Sequence, residues 1–389
     1  MSSARLSSAI EARPLHIVLV APPYFDIPPA GYGGIEAIVA ELADELVCRG
    51  HRVTLLGSGR SGTRAEFVQI WPEPLTARLG EPYPEIVHAL KVQQVVAELA
   101  VTDAVDIVHD HTFAGPLNAP FYRRLGIPTV VTAHGPVDDA DMLDYYRSLE
   151  GGAQLVAISD RQRELAPDLN WLGRVHNALR PEEWPFRPKK LDYALFLGRY
   201  APCKGAHLAL EAAHSAGIRL VLAAKLNEPP ERAYFEERIR PLLNPSDSVF
   251  GEADAVSKRE LLASARCLLF PIQWEEPFGM VMIEAMVCGT PVVALRGGAV
   301  DEVIEDGVTG IICDDPAQLP AAIARAGGLD PHDCRGRVER LFGTDRLGAG
   351  YEDAYYRALD SVRQPISLPI RLPDTSYGRS VTLPSTARS

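Results

Sequence analysis

Short apolar runs alternate with amphipathic segments along the chain, and this alternation limits the possible fold more than any other feature. The first run, at 16–20, leads to a segment whose apolar residues at 35, 38, 39, 42, 46 and 47 follow the 3.6-residue period of a helix. A second apolar run follows at 52–56. Uninterrupted apolar runs are typical of strands buried on both faces. Strand–helix–strand units of this kind predict parallel sheets covered by helices.

The alternation breaks once, at 179–188, where three prolines and a run of charges can continue neither a strand nor a helix. A second series of apolar runs then begins at 193–197. A chain of 389 residues is long for a single hydrophobic core. We therefore predict an α/β protein of two doubly wound domains that face each other across a cleft. The predicted boundaries are a flexible N-terminus at 1–14, a first domain at 15–180, a linker at 181–190, a second domain at 191–343, a C-terminal helix at 344–364 and a disordered tail at 365–389.

Composition excludes some classes of function. The formal net charge of −12 argues against non-specific binding to nucleic acid. No stretch approaches the ~20 apolar residues that cross a bilayer, and the first residues lack the apolar core of a signal peptide. We expect a cytoplasmic protein that has neither a nucleic-acid partner nor a transmembrane segment.

Two carboxylates, Glu276 and Glu284, stand eight positions apart immediately after the apolar run 267–271. Proline is favoured in the first turn of a helix and pushes the residue before it out of the helical region. We therefore expect a helix to start near Pro277, with Glu276 in the loop and Glu284 on the helix. Ligands of open α/β sheets bind at the carboxyl ends of the strands. Carboxylates there accept hydrogen bonds from hydroxyls, and a helix N-terminus attracts anions, which together suit a sugar that carries phosphate.

The segment 276–284 resembles the Glu-x7-Glu signature of retaining glycosyltransferase family 4, whose members have the GT-B fold of two Rossmann-like domains. The segments 285–294 and 302–310 are also similar to that family, and the resemblance extends over about residues 15 to 360. It implies transfer of a hexose from a nucleoside-diphosphate sugar to an acceptor hydroxyl, without a metal ion or another cofactor. It also implies that the C-terminal helix crosses back to the first domain.

The resemblance assigns cations to the donor diphosphate. Arg199 and Lys204, which follow the first strand of the second domain, look like the family's Gly-Arg…Lys-Gly element. Fixed cations in a cleft stabilise the charge that a departing nucleoside diphosphate gains. Lys225, at the end of the next strand, is a third candidate. Gly33 and Gly34 precede the first helix, where glycine lets the backbone approach a phosphate or a sugar closely.

The same resemblance assigns the sugar contacts. Glu276 is expected to bind the donor-sugar hydroxyls and Glu284 the ribose hydroxyls, with the backbone of 278–280 (Phe278, Gly279 and Met280) holding the sugar. His134, at the end of a first-domain strand, resembles the histidine that contacts the donor sugar beside the anomeric carbon. The predicted catalytic set is therefore His134, Arg199, Lys204 and Glu276.

The acceptor side is less defined by the sequence. Asp110 and His111 follow a first-domain strand, and we predict that they lie near the acceptor. The run 109–111 also has the composition of a metal site. We expect no metal there, because adjacent strand residues point to opposite faces and no third ligand is apparent nearby.

Two other functions stay open at this stage. One is a GT-B nucleotide-sugar epimerase, which converts its donor without an acceptor. The other is a non-catalytic subunit that binds a sugar nucleotide in support of a partner transferase. For the transferase, the resemblance implies attack on the face from which the diphosphate leaves, with the leaving phosphate accepting the acceptor proton. The acceptor itself, a small molecule or a glycan, is not defined by the sequence.

Overall fold

The computed structural model of the protein describes residues 13–31, 33–149 and 151–363. The predicted disordered tail lies outside these ranges, as does the predicted flexible N-terminus apart from residues 13 and 14. Within them the chain forms two parallel sheets, one in each half. This arrangement confirms the predicted fold class of two doubly wound α/β domains.

The first sheet has seven strands in the spatial order β3-β2-β1-β4-β5-β6-β7. Its strands are β1 His16–Val20, β2 Arg52–Ser58, β3 Glu66–Trp71, β4 Ile107–Asp110, β5 Thr129–Ala133, β6 Ala153–Ala157 and β7 Trp171–Arg174. The helices of this half are α1 Gly34–Cys48, α2 Pro82–Thr102, α3 Ala119–Arg124, α4 Ala140–Ser148 and α5 Asp160–Leu165. All five residues of β1 are buried, as its uninterrupted apolar sequence predicts for a central parallel strand.

The second sheet has six strands in the order β10-β9-β8-β11-β12-β13. Its strands are β8 Ala194–Arg199, β9 Leu220–Lys225, β10 Ser248–Val249, β11 Cys267–Phe270, β12 Val292–Leu295 and β13 Gly310–Cys313. The helices that accompany it are α6 Ala206–Ser215, α7 Pro229–Tyr234, α8 Ala255–Ser264, α9 Met280–Val287, α10 Val300–Val303, α11 Leu319–Ala326 and α12 Pro331–Leu341.

Both sheets reverse their strand order at one point. The reversal lies between β1 and β4 in the first sheet and between β8 and β11 in the second. Loops that leave such a pair of strands turn to opposite faces of the sheet and open a crevice at the carboxyl ends. The second crevice is therefore bordered by the end of β8, at Arg199, and by residues that follow β8 and β11, which include Lys204 and Glu276.

The last described helix, α13 Thr344–Arg363, packs against the first domain. Its residues Leu347, Tyr351 and Tyr355 are buried in the same core cluster as β1 and α1. This helix therefore holds residues 344–363 against the first domain. Among the helices of the described residues, none combines the length and the apolar composition that a bilayer crossing requires.

Candidate active site

A cavity of about 460 Å³ lies between the two domains, at the carboxyl ends of both sheets. Its size is ordinary for a small-molecule site. The first domain contributes the start of α1 and the loop after β5, and the second contributes the ends of β8, β9 and β11 with the start of α9. The predicted donor and catalytic residues all line it: Gly33, Gly34, His134, Arg199, Lys204, Lys225, Glu276, Phe278, Gly279, Met280 and Glu284. Their individual roles stay predictions.

Glu276 lies in the loop after β11, as predicted, but the predicted helix start at Pro277 was wrong. The helix α9 begins three residues later, at Met280, because Gly279 precedes it in the left-handed conformation with φ 79°. A side chain at Gly279 would also stand 2.7 Å from the Met282 Cε atom. A residue with a Cβ atom would therefore be strained here, and the loop that carries Glu276 depends on this glycine.

The carboxylate of Glu276 has two partners inside the cavity. Its Oε2 atom accepts a hydrogen bond of 2.5 Å from the Lys204 ammonium and one of 2.9 Å from the Trp274 indole N–H. Lys204 Nζ also lies 4.6 Å from the centre of the Trp274 ring, within cation–π range. The three side chains therefore contact one another, and these contacts orient the carboxylate within the cavity.

Glu284, on α9, makes a second ion pair. Its Oε1 atom lies 2.7 Å from Nζ of Lys258, which extends from α8. Lys258 also lines the cavity, and the sequence-based prediction missed it. The only signal that could have found it is the scarcity of lysine: the whole chain has six, and three of them (Lys204, Lys225 and Lys258) line this cavity.

Arg199 and Lys225 occupy matching positions at the ends of neighbouring strands, where β8 and β9 pair in register. Lys225 Nζ lies 2.8 Å from Glu228 Oε1. The hydrogen bond from Lys225, with a smaller contribution from the charge of Arg199, lowers the pKa of Glu228. Together with Lys204 and Lys258, these residues bring four cations to the second-domain side of the cavity. Each of the three lysines is paired with a carboxylate, so an anionic ligand would exchange these contacts for its own.

His134 follows β5 and is the half-buried, cavity-facing end of a chain of three imidazoles. Its Nε2 atom lies 2.9 Å from Nδ1 of His111, whose ring packs against that of His109 at a tilt of 44°, with centroids 4.0 Å apart. His109 in turn hydrogen-bonds Tyr355 of α13 at 2.7 Å and Thr132 at 2.8 Å. Burial lowers the pKa of His134 to about 4. The ring is therefore neutral near pH 7, which suits it to hydrogen bonding rather than to carrying positive charge.

The structure does not bring Asp110 or His111 to the wall of the cavity. Asp110 is fully buried, and its Oδ1 atom accepts hydrogen bonds from the backbone N–H and the hydroxyl of Thr112. The other oxygen, Oδ2, packs against Gly115. Asp110 thus stabilises the turn after β4 through its hydrogen bonds with Thr112. His111 does not line the cavity itself but contacts His134, which does.

The side chain of Asp110 points to the opposite face of the sheet from the side chains of His109 and His111, as predicted for adjacent strand residues. The same alternation places His109 and His111 on one face, where their rings are in contact. Among the described residues, no group of three or more His, Cys, Asp or Glu side chains has the arrangement to hold a metal ion. The chain of imidazoles is bonded within itself and to α13 instead.

Comparison with known proteins assigns the class. Residues 32–176 match the family model of Glycosyltransferase Family 4, and residues 182–326 match that of Glycosyl transferases group 1. The chain is 29% identical to the alpha-maltose-1-phosphate synthase of Mycobacterium tuberculosis over 351 residues, covering 77% of this chain and 87% of that protein. It is 27% identical to the D-inositol 3-phosphate glycosyltransferase of Acidothermus cellulolyticus, covering 79% and 80% respectively.

Among solved structures, AviGT4, a glycosyltransferase involved in avilamycin A biosynthesis, superimposes with a TM-score of 0.67 at 28% identity. That match covers 90% of this chain and 99% of AviGT4. Because the two family models together cover both domains and the fold agrees, the protein is a sugar-transferring enzyme with the GT-B architecture. It belongs to the group 1, family 4 glycosyltransferases.

Proposed function

We propose that the protein is a retaining hexosyltransferase that uses a nucleoside-diphosphate sugar as donor. The observation that carries this proposal is the pairing of cations with carboxylates in one cavity, Lys204 with Glu276 and Lys258 with Glu284. The cations suit a diphosphate, and the carboxylates suit the hydroxyls of a hexose and a ribose. A ligand that carries both a diphosphate and sugar hydroxyls could therefore bind the cations and the carboxylates of this cavity together.

The diphosphate would lie against the second domain. Arg199 and Lys204 flank the crevice beside β8, and the start of α9 adds the partial positive charge of a helix N-terminus. Negative charge grows on the leaving diphosphate as the sugar bond breaks. Fixed cations stabilise that charge more strongly in a cleft than in water, so the protein's own side chains supply the neutralisation that we propose.

Three glycines support a close approach of ligand to backbone. Gly31, Gly34 and Gly135 are the only described glycines that lack both a positive φ and any atom within 4 Å of the position of a Cβ atom. All three line the cavity. Neither their backbone conformation nor the packing of the chain requires glycine there. A ligand that passes within van der Waals distance of the backbone would require it.

Retention without a covalent intermediate is the mechanism that we favour. The described first-domain residues that line the cavity include no Asp or Glu that could attack the anomeric carbon. We propose that the acceptor oxygen bonds to the anomeric carbon on the face from which the diphosphate oxygen departs. The acceptor proton passes to the leaving phosphate, and neutral His134 contributes hydrogen bonding near the reacting carbon.

The test begins with a thermal-shift panel of nucleoside diphosphates and their hexose conjugates. A ligand that binds the native state raises the melting temperature by mass action. We expect one diphosphate to raise it, and the variants Glu284→Ala and Lys204→Ala to lose the effect. The product anomer, determined by NMR, then tests retention, and an inverted anomer would refute it.

The same panel separates the other two functions. A donor whose sugar changes configuration without any acceptor would establish an epimerase. A donor that binds but is never turned over with any acceptor would indicate a non-catalytic subunit. Failure of every nucleoside diphosphate to bind would end the sugar-nucleotide proposal itself.

A further inference from the structure

One first-domain helix is held by two carboxylates of the second domain. Helix α5 begins after β6, and the guanidinium of Arg161 in its first turn crosses to Glu275. Nε and Nη2 of Arg161 donate to Oε2 and Oε1 of Glu275, both at 2.9 Å. This bidentate geometry, with two parallel charge-assisted hydrogen bonds, gives a strong and directional ion pair. The hydrogen bonds from Arg161 lower the pKa of Glu275, so the pair is charged over the neutral range.

The second carboxylate belongs to Glu302. Its oxygens accept hydrogen bonds of 2.8 Å from the backbone N–H groups of Asp160 and Arg161, at the start of α5. His176, from the segment after β7, lies 2.9 Å from the same carboxylate. Burial alone would raise the pKa of Glu302, but these hydrogen bonds outweigh burial and leave it lowered. We call Arg161, Glu275, Glu302 and His176 the α5 clasp.

The α5 clasp is directly connected to Glu276. Glu275 precedes Glu276 in the chain, and its Oε2 atom also accepts the N–H of Gly298 at 3.0 Å. The next residue, Ala299, donates its N–H to the carbonyl of Glu276 at 3.0 Å. The backbone of Gly298 lies so close to Glu276 that a Cβ atom would stand 2.0 Å from that carbonyl oxygen. The loop that carries Glu276 is thus held between the turn at 297–299 and a side chain of the first domain.

We propose that Arg161 is a positioning residue for the transfer reaction. Arg161 acts through Glu275, the residue before Glu276. The position of the Glu276 carboxylate therefore depends on the orientation of the first domain relative to the second. The acceptor-side domain thereby aligns the carboxylate that meets the donor sugar. This inference rests on the proposed function of Glu276. Arg161 itself does not line the cavity.

A positioning role predicts a specific kinetic pattern. Displacement of a reacting group by about 1 Å can reduce turnover by roughly a hundredfold, so we expect Arg161→Met to lower kcat by roughly tenfold to a hundredfold. The dissociation constant for the nucleoside diphosphate should change less than about twofold, since Arg199, Lys204, Lys258 and Glu284 are untouched. Arg161→Lys, which keeps the charge and one donor, should recover part of kcat.

Arg163→Met is the matched control, because Arg163 lies on the same helix and pairs with Asp160 within its own domain. It should leave kcat and binding unchanged. Unchanged kcat in Arg161→Met would overturn the proposal. So would a loss of diphosphate binding in parallel with kcat, since a general structural defect produces that pattern.

Hydrogen exchange tests the coupling independently of any sugar chemistry. In the full-length protein without nucleotide, Arg161→Met should speed the exchange of the Gly298 and Ala299 amides, and Arg163→Met should not. Unchanged exchange at these amides in Arg161→Met would also overturn the proposal. If the wild-type protein binds no nucleoside diphosphate while exchange changes as expected, the coupling is real and only the proposed function has failed.

Discussion

Lys204 and Glu276 form an ion pair of 2.5 Å that joins the turn after β8 to the loop after β11. The pair brings together the cation proposed for the donor diphosphate and the carboxylate proposed for the donor sugar. Both side chains are largely buried, at 19% and 12% exposure. Each therefore reduces the cost of burying the other's charge, and a donor that binds there can exchange this contact for its own.

Lys204 is expected to contribute mainly to binding of the nucleoside diphosphate, and Glu276 mainly to turnover. Lys204→Met removes a hydrogen bond to a charged group, which contributes ~1.5–3 kcal/mol, so the dissociation constant for the nucleoside diphosphate should rise about tenfold to a hundredfold. Glu276→Gln should leave that constant nearly unchanged but lower kcat by roughly a hundredfold. Calorimetric titration and initial rates measure the two quantities.

The control for this pair is Lys189→Met, which removes an exposed lysine of the linker. It should change neither quantity. If Lys204→Met binds the diphosphate as tightly as the wild type, Lys204 does not contact the phosphate.

Glu284 is expected to distinguish a nucleotide from a bare diphosphate. If its carboxylate binds the ribose hydroxyls, Glu284→Gln should weaken nucleoside-diphosphate binding by roughly tenfold while leaving inorganic pyrophosphate binding within about twofold. Competition titrations with the two ligands measure the difference. Equal losses for both ligands would place Glu284, or its partner Lys258 at 2.7 Å, at the phosphate instead.

Gly34→Ala and Gly135→Ala test the close approach of ligand to backbone. No atom lies within 4 Å of either added methyl group, so the free energy of unfolding should change by less than ~0.5 kcal/mol. Each methyl group would instead occupy space in the cavity and weaken donor binding. Gly62→Ala, at an exposed glycine away from the cavity, is the control. Donor binding equal to that of the wild type in both cavity variants would contradict the proposed approach.

The sequence predicted the fold because its signals are local. An apolar run such as 16–20 can be buried on both faces only in a covered parallel sheet, and β1 lies there. The start of α9 was mispredicted because Pro277 is a strong local signal, whereas the left-handed Gly279 places the helix start at Met280 in a space where a Cβ atom would contact Phe270 and Met282. Such contacts form only in the folded chain.

The site was predictable to the extent that its residues follow strands. Arg199 and Lys225 end neighbouring strands, and strand ends converge in a doubly wound sheet. Asp110 also ends a strand, but its side chain turns into the structure towards Thr112. Lys258 was missed because it lies within α8, where a lysine in a polar run has the appearance of a solvated surface residue.

Asp110 should make stability depend on pH in a way that Asp110→Asn removes. Burial raises the pKa of Asp110 to about 7, from a value near 4 in the unfolded chain. The folded protein therefore keeps this proton between about pH 4 and 7 while the unfolded chain loses it. The resulting stabilisation is complete below about pH 4 and is lost as the pH rises through about 7.

Asn cannot titrate, and it retains an oxygen that can accept the hydrogen bonds from Thr112. Relative to the wild type, Asp110→Asn should therefore be more stable at pH 8 than at pH 5, by on the order of 2–3 kcal/mol. Urea unfolding at the two pH values measures this difference. Asp144→Asn, at an exposed carboxylate of α4, controls for the loss of one negative charge. A difference for Asp110→Asn that stays constant with pH would contradict the raised pKa.

Tyr355 is expected to stabilise the attachment of α13 to the first domain through one hydrogen bond. Its hydroxyl lies 2.7 Å from Nδ1 of His109, and both side chains are fully buried. Tyr355→Phe would leave the imidazole nitrogen without a partner in a site that water does not reach, at a cost of ~1–3 kcal/mol in the free energy of unfolding. Tyr356→Phe removes a hydroxyl of the next residue, which donates to the carbonyl of Arg13 at the surface, and should cost less than ~0.5 kcal/mol. Urea unfolding of the two variants side by side measures the contrast, and equal costs would show that the buried imidazole chain does not hold the helix.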